Sequence, residues 1–169
     1  MREVFKEQLV KKQPSQKTKL IKAGVIFLLI IIFFLIFPYA GQFTPIIMLA
    51  LGFGAYYLFG TFNVEYEYIF TNGELDIDCI YSKSRRKRQF TGVVRDFEII
   101  AHVEDRNHTH AFDSATETKD YSSGIVKDNT YAFLTSYKGK KLKIIIEPDE
   151  VMVQAFSTAI TPRKFFKKQ

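Results

Sequence analysis

The chain carries two kinds of hydrophobic pattern, and the change between them falls near residue 63. From Val25 to Phe37, thirteen consecutive residues are Val, Ile, Leu or Phe, so a helix here has no polar stripe on any face. At about −0.3 to −0.6 kcal/mol per such residue, the run favours membrane insertion by roughly 4–8 kcal/mol. Extended to Ala23–Tyr39, it gives about 26 Å of helix, at the short end for spanning a bilayer.

A second apolar stretch, Pro45–Phe62, is richer in small residues. Within it, Ala50 and Gly54 have the small-xxx-small spacing that lets helices pack closely in lipid. The connection Ala40–Thr44 is short and uncharged. The sequence therefore predicts a two-helix transmembrane hairpin over residues 23–62, with spans of about 23–39 and 45–62.

Beyond this region the hydrophobic period becomes two, which is typical of strands. Val64–Phe70 and Leu75–Tyr81 alternate apolar with acidic residues around a Thr71–Gly73 turn, so we predict a β-hairpin with Cys79 in the core. A third strand is expected at Gln89-Phe90. A fourth is expected around Phe97–Ala101.

Two further strands are predicted at Thr130–Tyr137 and Lys141–Glu147, joined by a turn at residues 138–140. The polar stretch 103–129 is either a mobile functional loop or contains a short strand around Thr109–Phe112.

A terminal helix should follow, with Glu147 as its cap and Pro148 in its first turn. Met152 and Phe156 form its apolar stripe, and Pro162 ends it.

Charge is concentrated at the N-terminus. Residues 1–22 hold seven Lys or Arg against two Glu, residues 23–62 hold no charged side chain, and the rest is nearly neutral. The basic bias predicts that both termini are cytoplasmic, at the cell membrane. A cleaved signal peptide fits less well because no small-residue cleavage site follows and a second span does. The neutral remainder argues against a nucleic-acid partner. A single cysteine excludes an internal disulfide and suits a reducing compartment.

Two segments carry a family resemblance: Val64–Ile77, directly after the two apolar stretches, and Arg85–Ile99. Both resemble the membrane-anchored bacterial pleckstrin-homology-like (PH-like) proteins, and the chain is similar nearly end to end to an uncharacterised two-span family of this kind. The resemblance implies an α+β protein: a transmembrane hairpin followed, over residues 63–169, by a PH-like antiparallel β-barrel with a C-terminal capping helix. It implies no catalytic residues.

Two basic segments are candidates for contact with anionic lipid headgroups or a protein partner. They comprise Lys83, Arg85, Arg86, Lys87, Arg88, and Arg163, Lys164, Phe165, Phe166, Lys167, Lys168. The alternatives are a solvated hairpin for the first segment and a frayed terminus with one Phe packed on the domain for the second.

A metal site is the other chemical candidate. His102, His108 and His110 lie near several carboxylates, which are zinc-compatible ligands. Their spacing matches no rigid metal motif, so a solvated loop explains them better, and no cofactor is predicted.

The sequence thus predicts a non-enzymatic membrane protein that presents a binding or scaffold domain to a protein or to anionic lipid. A metal-dependent enzyme using the three histidines and a structural subunit of a membrane complex are the alternatives. The oligomeric state is left open.

Overall fold

The computed structural model describes residues 5–167, apart from the side chain of Thr109. The chain divides into two compact units. One comprises Met1–Gln13, Glu65–Ile80 and Arg85–Gln169, and the other comprises Pro14–Val64 and Tyr81–Ser84.

The second unit is built from helices. Helix α1 spans Gln16–Ala40 and helix α2 spans Thr44–Gly60, with a 3-10 turn at Gly41–Phe43 between them. Ser15 caps α1, its hydroxyl accepting a hydrogen bond from the Thr18 amide at 3.4 Å. Gly41 ends α1 with φ of 47°, a left-handed conformation that costs glycine little.

Counted through the turn, Gln16–Gly60 is one helical segment of 45 residues that is long and apolar enough to cross a membrane. Its most apolar window has a mean hydropathy of 3.1, and none of that window is buried within the protein. The segment therefore leaves a large apolar surface uncovered by the chain's own residues 5–167.

The first sheet has four strands, β1 (Phe5–Lys11), β2 (Val64–Thr71), β3 (Glu74–Tyr81) and β4 (Arg85–Val93), in that order. The predicted β2–β3 turn is confirmed, with positive φ at Asn72 and Gly73. Strand β1 was not expected, since residues 1–22 were predicted only as a basic segment. It pairs antiparallel with β2, so that Phe5 lies opposite Thr71 and Lys11 opposite Glu65.

The second sheet has five strands: β5 (Ile99–His102), β6 (Glu117–Asp120), β7 (Tyr131–Tyr137), β8 (Lys140–Ile146) and β9 (Phe165–Phe166). Their order is β6-β8-β7-β5-β9. The β7–β8 hairpin was predicted correctly. The β6–β8 and β5–β9 pairs are parallel, and the other two pairs are antiparallel.

Aromatic rings fill the core of the strand-containing unit. Phe97 and Phe133 stack at 4.2 Å between centroids, and Phe90 contacts both. Helix α3 (Glu150–Ala159) buries Met152 and Phe156, and the Phe156 ring lies edge-on to Phe70 on β2 at 5.6 Å. Cys79 is buried and free, as predicted.

One local prediction was wrong, and one of two alternatives left open by the sequence is not found in the described residues. The cap of α3 is Asp149, whose carboxylate accepts from the Met152 amide at 2.7 Å, because Glu147 is buried and turned away from the helix. A strand around Thr109–Phe112 is also absent from the described residues. That region forms a 3-10 helix (Thr109–Ser114), and the strand follows it as β6.

The expected closed barrel is not present in the described range 5–167. Strand β4 ends the first sheet and β6 ends the second, and neither edge pairs with the other. The edge strand β6 carries the charged residues Glu117, Lys119 and Asp120. The strand-containing unit is therefore an α+β fold of two sheets and a helix.

The buried carboxylate of Glu147 organises the loop between β6 and β7. One oxygen accepts from the Ser123 amide at 3.0 Å and the Ser123 hydroxyl at 2.6 Å, and the other pairs with Lys127 at 2.8 Å. The Glu147 amide donates to the Tyr68 hydroxyl at 3.2 Å, which itself donates to the Tyr121 carbonyl at 2.5 Å. The part of the polar stretch from Tyr121 to Lys127 is thereby tied to the end of β8 and to β2.

Strand β1 is held by the same region. The Gln8 side-chain amide donates to the Glu147 carbonyl at 2.8 Å, and its oxygen accepts from the Asp149 amide at 2.7 Å. Beyond the strand, the Gln13 amide donates to the Ser123 carbonyl at 2.8 Å. The residues that precede α1 are thus an integral part of the folded domain.

Candidate functional site

The β3–β4 turn, which carries Lys83, is fixed to the end of α2. The Ser82 amide donates to the Asn63 carbonyl at 2.9 Å, and its hydroxyl donates to the Gly60 carbonyl at 2.6 Å. Ser82 and Lys83 both adopt positive φ, which turns the chain tightly. Lys83 is exposed beside the negative end of the α2 dipole, where a cation is favoured.

The start of α1 brings further lysines to the same end of the helical unit. Lys17 and Lys19 are exposed on the first turns of α1. The Lys22 ammonium lies 5.7 Å from the ring centroid of Phe59 and 6.0 Å from that of Phe62. These three lysines and Lys83 form what we call the lysine collar. Sequence reasoning singled out Lys83 but not the lysines of α1, because their position beside the end of α2 depends on how α2 returns.

Arg86 and Arg88 on β4 are paired with carboxylates of the sheet. Arg86 lies 2.9 Å from Glu67, and Arg88 lies 2.6 Å from Asp76 and also bonds Asp78. Their positive charge is therefore largely compensated within the domain.

The environment of these pairs shifts two pKa values. The hydrogen bond from Arg88 to Asp78 raises the pKa of the guanidinium, which stays charged. Burial raises the pKa of Glu67 even though the positive charge of Arg86 lowers it, and Glu7 adds to the increase.

Arg85 and Lys87 differ from their neighbours. Both are exposed, and within residues 5–167 neither forms an ion pair. The predicted basic patch is thus divided into a compensated pair, Arg86 and Arg88, and two solvated cations that remain available to an anion.

The C-terminal basic segment is partly integrated into the second sheet. Phe165 and Phe166 form β9 opposite Ile100 and Ala101. The Phe166 ring stacks on His108 at 3.6 Å between centroids, and the Phe165 ring stacks on Tyr131 at 6.0 Å. Both Phe side chains therefore contact the domain.

The cations of this segment are placed differently from one another. The Lys164 ammonium donates to the Phe97 carbonyl at 3.0 Å, whereas Arg163 and Lys167 are exposed. Lys168 lies outside the described residues. Contact of this segment with lipid stays a prediction.

The three histidines lie in different environments. His102 is buried, with its Nδ1 accepting from the Glu104 amide at 3.2 Å and its Nε2 lying 3.0 Å from the Lys127 carbonyl. His108 pairs with Asp105 at 2.7 Å, and this hydrogen bond lowers the pKa of the Asp105 carboxyl. His110 is exposed. Among the described residues, no three His, Cys, Asp or Glu side chains are grouped to hold a metal ion.

Ala50 and Gly54 are exposed on α2, and a Cβ built on Gly54 would meet no atom within 4 Å. Within one chain their small-residue face is not packed against another helix. Their role in helix packing stays a prediction.

The strand-containing unit combines two sheets with a C-terminal helix in an α+β arrangement. A family model described as "Bacterial PH-like domain (DUF6106)" matches residues 2–167, and the chain belongs to this family. No curated protein and no solved structure matches the chain.

Proposed function

We propose that this protein is an integral membrane protein that crosses the bilayer twice. In this proposal it holds its PH-like domain at the cytoplasmic face as a non-enzymatic binding or scaffold module. Its ligand is a protein or an anionic lipid surface.

The pairing of β1 with β2 carries the proposal. Lys11, before the helical segment, lies opposite Glu65, after it, and such cross-strand partners are about 5 Å apart. The apolar segment between them must therefore leave the domain and return at one place. Both ends of the segment then lie on one side of the bilayer, so the segment should cross it an even number of times. Each crossing should be helical, because a membrane-embedded backbone must satisfy its own hydrogen bonds. Its 45 residues are sufficient for two crossings.

The contact between Lys22 and Phe59 supports a hairpin. In one straight helix these residues would be about 55 Å apart, at 1.5 Å per residue, yet the ammonium lies 5.7 Å from the ring centroid. The lysine collar would then sit at the headgroup level of one leaflet. Each cation near an anionic surface contributes about 1 kcal/mol of attraction, and the basic bias favours the cytoplasmic side.

Cysteine labelling tests the topology. Cys79→Ala removes the only thiol, and single cysteines are then placed at Gln42, in the turn between the helices, and at Gln154, exposed on α3. We expect a membrane-impermeant maleimide to label Gln42→Cys in intact cells and to label Gln154→Cys only after permeabilisation. Labelling of Gln154→Cys from outside, or protection of Gln42→Cys before and after permeabilisation, would contradict the proposal. Release of the protein from membranes by alkaline carbonate would contradict it as well.

A further inference from the structure

A narrow cleft opens where the two sheets fail to close. It lies between β4 and β6, has a volume of about 210 Å³, and is lined by residues of both sheets. Phe90, Leu142 and Ile144 form a buried apolar floor, and Tyr121 and Tyr137 also line it. An apolar group entering the cleft would contact the hydrophobic core directly.

Backbone amides of β6 point toward this opening. The Tyr121 amide, directly after β6, donates to the Ile145 carbonyl at 2.9 Å, so it faces β8. Successive amides of a strand point in opposite directions, so those of Thr118 and Asp120 face the free edge. In the described part of the chain, no strand pairs with that edge. The edge can therefore accept one more strand.

The rim of the cleft is basic. Lys119, Lys138 and Lys140 line it, with Glu117 as the one acid in the lining. Glu117 pairs with Lys119 and lies 3.5 Å from Lys140, which leaves an excess of positive charge. An incoming segment with carboxylates beside its apolar group would complement this rim.

The size of the cleft favours a side chain over a small molecule or an acyl chain. Pockets for small molecules usually have about 300–1,000 Å³, and this one has about 210 Å³. A single Phe or Leu side chain is the better match, as in the anchoring pockets of protein interfaces.

We propose that the free edge of β6 and this cleft bind an extended acidic segment of a partner protein. The segment adds as a strand to β6, inserts one large apolar side chain between β4 and β8, and places carboxylates near the rim lysines. The proposal rests on the binding role proposed above for the domain, but not on the number of membrane crossings.

The test uses the full chain in detergent micelles and a fluorescein-labelled synthetic peptide of sequence EVTFTVE, followed by fluorescence anisotropy. We expect saturable binding that weakens at least about tenfold when the central Phe is replaced by Ala. Replacing both Glu by Lys should weaken it further. N-methylation of alternate amides on one edge should abolish binding, because strand pairing needs those donors.

Protein variants locate the site. Gln89→Trp places an indole at the mouth of the cleft without removing a core residue, and Lys119→Glu reverses a rim charge. Both should weaken binding about tenfold or more, whereas Arg95→Glu, at an exposed arginine outside the cleft lining, should not. Circular dichroism of each variant verifies its fold.

Three results would overturn this proposal. The first is no binding at about 1 mM peptide. The second is an affinity that changes neither when the Phe of the peptide is replaced by Ala nor in the Gln89→Trp variant. The third is displacement of the labelled peptide by dodecanoate as potently as by unlabelled peptide, which would indicate an acyl-chain site. The anisotropy assay is done in detergent and does not depend on the orientation of the chain in a membrane. A failure of the cysteine-labelling experiment would concern only the topology, so the two proposals can fail separately.

Discussion

Removal of the Glu147 carboxylate should destabilise the strand-containing unit far more than removal of an exposed acid. In Glu147→Ala, the Ser123 amide and hydroxyl lose their acceptor, and both belong to a residue that is 2% exposed. Lys127, about half exposed, loses its ion-pair partner.

The magnitude follows from these contacts. Each buried donor left without an acceptor costs about 1–3 kcal/mol, while a solvent-exposed ion-pair partner contributes about 0–1 kcal/mol. The hydroxyl can turn toward another acceptor, so we expect the free energy of unfolding to fall by about 2–5 kcal/mol in total. Total stabilities are usually about 5–15 kcal/mol, so the loss should be plain.

The assay is urea unfolding in detergent micelles, followed by the circular dichroism of the strands. Glu147→Gln keeps one oxygen to accept from Ser123 but loses the ion pair. Its free energy of unfolding should therefore be about 1 kcal/mol below that of wild type. Glu150→Ala, at an exposed acid in the first turn of α3, is the matched control.

Hydrogen exchange provides an independent measurement. The Ser123 amide should be protected in wild type and in Glu147→Gln and should exchange faster in Glu147→Ala. If Glu147→Ala and Glu150→Ala unfolded at the same urea concentration, the claim that Glu147 holds the loop would be refuted.

Three other substitutions test the structure. Gln8→Ala removes both hydrogen bonds between β1 and the start of α3 and should lower the free energy of unfolding by about 1–3 kcal/mol; equal stability to wild type would mean that β1 is not held there. Tyr68→Phe leaves the Tyr121 carbonyl and the Glu147 amide without this partner and should lower the free energy of unfolding by about 2–4 kcal/mol in the same assay. A decrease of less than about 1 kcal/mol would contradict these hydrogen bonds. Because burial raises the pKa of Glu67 in the folded state, its contribution to stability is full below pH 4.5 and is lost as the pH rises through the raised value. Glu67→Gln should therefore reduce the fall in melting temperature as the pH rises above 4.5, and parallel curves for the two proteins would argue against the shift.

Elements governed by local chemistry could be predicted from the sequence. The turns at Asn72-Gly73 and Lys138-Gly139 adopt positive φ, which Asn and Gly favour at such positions. The C-terminal helix ends near Pro162, as expected. Each of these features is decided by a few neighbouring residues.

Features that depend on distant partners could not be predicted. Strand β1 pairs with β2 across the entire helical segment, and its alternation is weak because Phe5 and Leu9 are both exposed. The basic run 85–88 reads as one patch in sequence, yet Arg86 and Arg88 find acidic partners on β2 and β3. Whether a basic side chain is free to bind an anion depends on the residues opposite it in the sheet, and the order of residues along the chain does not show which these are.

The insertion of the helices between two neighbouring strands has a consequence for biogenesis. Strand β1 is synthesised first, but it has no partner until residues 64–71 have left the ribosome. Closing so large a loop costs entropy, and a helical hairpin already embedded in lipid would hold its two ends together beforehand. Insertion into the bilayer would then act as the folding template for the first sheet. Under the proposed topology, chains that miss the membrane should fail to complete that sheet and become substrates for proteolysis.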